Sequence, residues 1–205
     1  PETALYQAQT QRAINNFPVS GLTMPASFIQ ALAYIKYAAA QTNAELGYLD
    51  GERAIAIEKA CEQLIDGKHL EQFPIDVFQT GSGTSSNMNA NEVIASLASQ
   101  QANLDINPND HINMGQSSND VIPSAIQISS AITAYFNLLP AIEHLIQALD
   151  KKSAEIGHIV KTGRTHLMDA MPVTFAQTLA AWKSQIQNAK LGIMQSLEQI
   201  TSLAQ

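Results

Sequence analysis

From Thr80 to Glu92 the chain reads TGSGTSSNMNANE, a run of small, neutral hydrogen-bonding groups without a lysine or arginine. Gly81 and Gly83 allow a close backbone approach or a positive φ. Ser82, Thr84 and Ser85 add hydroxyl donors. The helix that follows offers unpaired backbone N–H groups at its positive end, so the stretch can form a cradle for an anion. Asn87 and Asn91 stand one helical turn apart, and their amides can point the same way. The plainer reading is a loop with a helix cap.

Two more polar islands interrupt the apolar pattern. In GQSSNDVIPSA, from Gly115 to Ala125, Ser117, Ser118, Asn119 and Asp120 gather before a helix that Pro123 helps to start, and one of them must cap it. In KTGRTHLMDAMP, from Lys161 to Pro172, Arg164, Thr165, His166 and Asp169 occupy a short connection between two long helices. An unperturbed histidine titrates near pH ~6.5, which suits His166 to proton transfer. Each island alone has a plainer reading, as a helix cap or a solvated loop. Together, three donor-rich loops could converge on a small polyanion and on charge that grows during a reaction.

The segments that must position these loops are helical. Phe28, Ala31, Leu32, Ile35, Ala38, Ala39 and Leu46 mark one apolar face, with Pro25 at its start and Gly47 at its stop. A second helix is capped by Asp50 and ends near Gly67. The asparagine-rich run leads into a third, through EVIASLASQ. The polar stretch NLDINPNDHINMGQ marks a domain boundary, giving domains over 1–116 and 117–205. Beyond it a long helical stretch runs from Asp120 to about Lys152, and Pro140 should bend or interrupt it. Phe175, Leu179, Trp182, Ile186, Ala189, Ile193, Leu197 and Ile200 form a heptad-like seam for packing against other long helices. That pattern runs uncapped to Gln205, and the chain opens abruptly at Pro1, so the sequence reads as a fragment. The expected fold is all-α: an N-terminal helical domain, then the start of a long central helical bundle.

Bulk properties narrow the field. The chain has 205 residues with a net charge of -7, which disfavours nucleic acid held by a basic patch. Only 14% of residues are charged, as expected if other subunits cover much of the surface. No apolar run reaches the length of a membrane span, and no basic-then-apolar leader opens the chain. Cys61 is the only cysteine, which excludes an internal disulfide; in AIAIEKACEQL it reads as a buried small hydrophobe. None of the five histidines stands at metal-ligand spacing to another, so no metal site is expected.

At these islands the chain resembles the fumarase/aspartase superfamily, and within it the iron-independent class II fumarate hydratases. QAQTQRAINNFPVSG is similar to the family's N-terminal segment. FPIDVFQTGSGTSSNMNANEVIA, SSNDVIPSA and KTGRTHLMDAMPVTFAQ are similar to three of its signature regions. The resemblance implies an all-α homotetramer with a core of pooled long helices and active sites built from three subunits. It implies a lyase that reversibly hydrates fumarate to (S)-malate through a carbanion beside a carboxylate. It assigns substrate binding to Ser82, Gly83, Thr84, Ser117, Ser118, Asn119 and Thr165, and the acid/base role to His166. The implied substrate is a small dicarboxylate. No cofactor, metal, nucleic acid or membrane is implied, and the location is cytoplasmic, or mitochondrial in a eukaryote.

Two departures stand out. Fumarases of this class commonly carry a His-Pro-Asn-Asp run at a second anion site; here it is Asn107, Pro108, Asn109 and Asp110, closer to aspartases. The family's later loop, Gly-Ser-Ser-x-Met-Pro-x-Lys-x-Asn-Pro, which supplies a serine base and a lysine, does not occur in these residues. The 205 residues alone are therefore expected to be inactive. The alternatives are aspartate ammonia-lyase and a non-catalytic helical assembly fragment. His166 separates the first, because aspartases usually carry Gln there, and their glycine loop usually reads GGAGT rather than TGSGT. Argininosuccinate and adenylosuccinate lyases fit the first island poorly.

Overall fold

The computed structural model describes residues 4–204, so the expectations about Pro1 and Gln205 lie outside the described residues. Seven helices form: α1 (Ala8–Asn16), α2 (Ala26–Glu45), α3 (Gly51–Ile65), α4 (Thr84–Ala102), α5 (Ser118–Thr133), α6 (Leu139–Ile156) and α7 (Phe175–Gln199). Between α6 and α7 lie strands β1 (Val160–Thr165) and β2 (Met168–Thr174). The helical expectation holds except over this antiparallel hairpin, where a loop was expected. The described residues form two compact units. The first runs through Ser130 and takes in 202–204; the second is Ala131–Thr201. The break thus falls between Ser130 and Ala131, whereas the polar stretch before 117 packs inside the first unit.

In the first unit α2 packs against both α3 and α4. Phe28, Ala31, Leu32 and Ile35 are buried as their spacing predicts, but Ala38 and Leu46 are exposed. A second row, Ile29, Ala33, Lys36 and Ala40, is buried as well, because α2 has a neighbour on each side. Alanines at 31, 33, 54, 60, 90, 95 and 98 let the three helices approach closely. Cys61 is fully buried in this core. Asp50 caps α3, accepting from the Arg53 N–H at 3.0 Å.

Two carboxylates tie distant segments together. Gln7 gives α1 no side-chain cap. Glu92, buried on α4, takes that role and accepts from the N–H groups of Gln7, Gln9 and Thr10 at 2.8, 2.8 and 3.1 Å. Asp76 accepts from the N–H groups of Ser20 (2.6 Å), Gly21 (2.7 Å) and Phe78 (2.8 Å), and from the Ser20 hydroxyl. Burial works against its ionised form, but these donors outweigh it and hold the carboxyl down at about 2.

Pro140 does not break the helix. The preceding segment, Ala134–Leu138, winds as a π turn, which absorbs the proline, and helical structure continues into α6. The resulting stretch, Ser118–Ile156, is long and apolar enough to cross a membrane by length and composition, contrary to the expectation from the sequence. Ser129, Ser130, Thr133 and Asn137 interrupt its apolar sequence.

In the second unit α6 and α7 pack side by side. Lys183 pairs with Asp150, and Lys190 with Glu143, each at 2.7 Å. The partners stand two turns apart on both helices, which sets an antiparallel register. Of the predicted seam, Leu179 is buried; Phe175, Ile186, Ile193, Leu197 and Ile200 are half-buried, while Trp182 and Ala189 are exposed. The last helix ends at Gln199, with the Ile200 N–H returning to the Ser196 carbonyl, rather than continuing uncapped. Its start carries a capping box formed by Thr174 and Gln177.

Candidate functional site

Gly83 starts α4. Its φ of +68° lies in the left-handed region, which turns the chain from the Thr80–Ser82 loop into the helix. Space also demands glycine there, since a Cβ would come within 3.0 Å of the Ile122 side chain on α5. The first two polar islands therefore meet at Gly83. On either side of it the Ser82 and Thr84 hydroxyls, both exposed, stand 3.0 Å apart. One hydroxyl proton is used between them, and the other stays free to donate. The Ser86 N–H is taken by Gln79 Oε1 at 2.9 Å, which secures the first turn.

In the second island Ser117 is the cap of α5. Its Oγ accepts from the Asn119 N–H at 3.2 Å, while its carbonyl receives the Asp120 and Val121 N–H groups. Pro123 lies inside α5 and brings no N–H, so the Asn119 carbonyl one turn earlier loses its helical donor. Ser117 and Asn119 are exposed, and Ser118 is half-buried. Ser118 Oγ accepts from Asn87 Nδ2 at 2.9 Å, which leaves the Ser118 hydroxyl proton free to donate outward.

Beneath these loops lies a polar network that the sequence reading only half anticipated. Asn87 and Asn91 do share a face: each donates from Nδ2 to Asn113 Oδ1 at 3.2 Å. The same oxygen accepts from Lys36 Nζ at 3.0 Å, and Lys36 also donates to Gln116 Oε1 at 2.8 Å. Gln116 Nε2 returns to the Ile112 and Met114 carbonyls, and Asn113 Nδ2 to the Gln116 carbonyl. Burial pushes the Lys36 ammonium down to about 7, against a smaller opposing pull from Cys61. Burial likewise pushes the Cys61 thiol up, above its ordinary range. Lys36, Asn113 and Gln116 were not singled out from the sequence. The signal available was a lone lysine amid the alanine-rich second face of α2.

The third island belongs to the second unit. Thr165 pairs with Met168 across the hairpin, and His166 and Leu167 form its two-residue turn. Both have positive φ, 48° and 62°, as a type I′ turn requires. Glycine and asparagine are the usual residues there, so His166 and Leu167 hold an unusual conformation at an exposed tip. The His166 ring has no hydrogen bond among the described residues. Gly163 sits at the bulge between Thr162 and Arg164, where a Cβ would meet the Met171 carbonyl.

Asn107 has a local task. Its Oδ1 accepts from the Asn109 and Asp110 N–H groups at 2.8 and 3.1 Å and caps the π-helical turn Pro108–Ile112. Those N–H groups, the natural donors to an anion at this loop, are thereby occupied.

The first two islands thus gather neutral hydroxyls and backbone N–H groups at helix N-termini, above a buried network of amides and Lys36, in a mainly helical protein. A protein-family profile described as "Lyase" matches residues 1–205. The chain is 55% identical to a Pseudomonas aeruginosa protein named fumarate hydratase class II 2, covering 100% of this chain and 45% of that protein. It is 54% identical to a fumarate hydratase class II of Xylella fastidiosa, covering 99% of this chain and 43% of the relative. The crystal structure of a class II fumarase from Schistosoma mansoni superposes with a TM-score of 0.94 at 42% identity, over 99% of this chain and 44% of that one. The chain belongs to this lyase family. It spans less than half the length of the relatives it matches.

Proposed function

We propose that the full-length protein is a class II fumarate hydratase that interconverts fumarate and (S)-malate. The observation that carries this reading is the junction of the first two donor loops at Gly83–Ile122 and Asn87–Ser118, in a chain similar throughout to fumarate hydratases. Ser82, Gly83 and Thr84 on one side, with Ser117, Ser118 and Asn119 on the other, bind the substrate carboxylates. Thr165 and His166 reach the substrate from the hairpin tip, in an active site shared between subunits of a homotetramer in the cytoplasm.

In the malate direction a base removes a C3 proton, and the electron pair spreads onto the adjacent carboxylate. Preorganised N–H and O–H donors lower the energy of that oxyanion, and each is worth ~3–4 kcal/mol in the transition state. They need not reorganise as the charge grows. His166 moves protons as the C2 hydroxyl departs as water. Its exposed tip position leaves the ring free to face a partner. The later serine-lysine loop of the family completes the site, so residues 1–205 alone turn over no substrate.

The test is an absorbance assay of fumarate formation by the full-length protein, with malate and aspartate offered separately. The expected result is turnover of malate and none of aspartate. Turnover of aspartate alone would replace this reading by aspartate ammonia-lyase, and turnover of neither would remove the lyase assignment of the site.

A further inference from the structure

Lys36 is fully buried on α2, and no carboxylate stands within ion-pair distance of it among the described residues. Buried ammonium groups are costly unless paired. Here the two hydrogen-bond acceptors are neutral amides, Asn113 Oδ1 and Gln116 Oε1. Both belong to the segment that leads directly into Ser117. The same network contains two further costs, because the buried Oδ1 atoms of Asn87 and Asn91 have no hydrogen-bond partner among the described residues. Asn87 donates to Asn113 and Ser118, and Asn91 to Asn113 and to Met88 Sδ, while both oxygens stay unsatisfied. Groups left uncompensated in a core mark a demand other than stability. Packing of α2 alone would be met by an apolar residue at position 36, like its row-mates Ile29, Ala33 and Ala40.

We propose that Lys36 is a positioning residue for dicarboxylate binding: it clamps the Asn113–Ser118 loop in the shape that presents Ser117, Ser118 and Asn119, and its charge is the internal counter-charge of the bound carboxylate. This inference rests on the dicarboxylate reading above. The free protein leaves the charge without an anionic partner, and the substrate supplies one. Burial limits screening, so the charge is felt beyond its own contacts. The facing groups do not neutralise it. On α3 the titratable neighbour is Cys61, kept as a neutral thiol by burial. α4 and the loop present the amides of Asn87, Asn91, Asn113 and Gln116. Because burial leaves Lys36 only partly protonated near neutral pH, an arriving anion should draw a proton onto it.

The test uses succinate, a dicarboxylate without a leaving group, and the full-length protein. Calorimetric titration near pH ~7.5 in two buffers of different ionisation enthalpy counts the protons taken up. A His166→Ala background removes the contribution of that ring. Net proton uptake is expected in this background. Adding Lys36→Met should abolish it and weaken succinate binding by about tenfold or more, the equivalent of at least one pKa unit. With His166 intact, Lys36→Met should raise KM for malate more than it lowers kcat. A merely structural lysine would instead lower the melting temperature and the active fraction, with KM unchanged. Absence of proton uptake in the His166→Ala protein overturns the inference, even if Lys36→Met fails to fold. Unchanged succinate affinity in Lys36→Met overturns it equally. A wild-type protein that turns over malate while either negative result holds keeps the activity reading and loses only this one. A wild type that neither binds succinate nor turns over malate loses both.

Discussion

Gly83 and Ile122 touch so closely that no side chain fits between them: a Cβ at position 83 would lie 3.0 Å from Ile122 Cγ2. This contact joins the loop before α4 to the first turns of α5. A glycine that could be read as a mere turn residue is therefore also the point where two sets of donors are brought together.

Gly83→Ala should consequently damage the site in two ways. The backbone φ of +68° disfavours any L-residue, and the methyl must displace Ile122. A loss of about 1–3 kcal/mol is expected, seen as a lowered thermal midpoint of the full-length protein. The companion change Ile122→Ala, which removes all three of the contacting carbons, should relieve the steric part of it. Gly81→Ala, where nothing lies within 4 Å, should cost much less.

Asp76 predicts an acid dependence. Its folded carboxyl titrates at about 2, below the ~3.9 of an unfolded aspartate. The stabilisation is therefore complete above about pH 4 and is lost as pH falls from there toward about 2. Asp76→Asn should lower the melting temperature at pH 7, and the gap to wild type should close in acid. An equal gap at both ends would show that the carboxylate charge does not matter at the Ser20–Gly21 turn.

Lys36 predicts the opposite limb. Its folded value, about 7, lies below the ordinary 10.5, so between these values the unfolded chain binds more protons than the folded one. Stability should rise with pH across that window, by up to about tenfold in the folding constant per pH unit. Lys36→Met should remove this rise. Thermal unfolding of wild type and variant at pH 7, 8 and 9 reads the difference.

Local patterns made the helices and the first two islands legible. Asp50, Gly47 and Gly67 marked ends, and the one-turn spacing of Asn87 and Asn91 placed their amides on one face, though not their shared partner Asn113. What stayed hidden depended on distant groups. Nothing near Gln7 indicates that Glu92 caps α1, and nothing near Ser20 points to Asp76. Lys36 went unnoticed because burial on two faces of α2 depends on neighbours that a single-helix pattern does not record. The hairpin escaped because its strands lack a clean apolar alternation and its turn uses histidine and leucine where asparagine and glycine are usual. The polar stretch before 117 reads as a domain boundary because it is turn-rich, but the Asn113 and Gln116 side chains bond to Lys36 and the amides of α4 within the first unit.

The account depends on donor loops acting in the transition state, and kinetics of donor deletions in the full-length enzyme test that most directly. Thr84→Val, Asn119→Ala and His166→Ala alter exposed side chains, so folding should be preserved. Each should reduce kcat for malate dehydration by about 10²–10³-fold with the melting temperature nearly unchanged. Activity within a few-fold of wild type in all three would contradict the account.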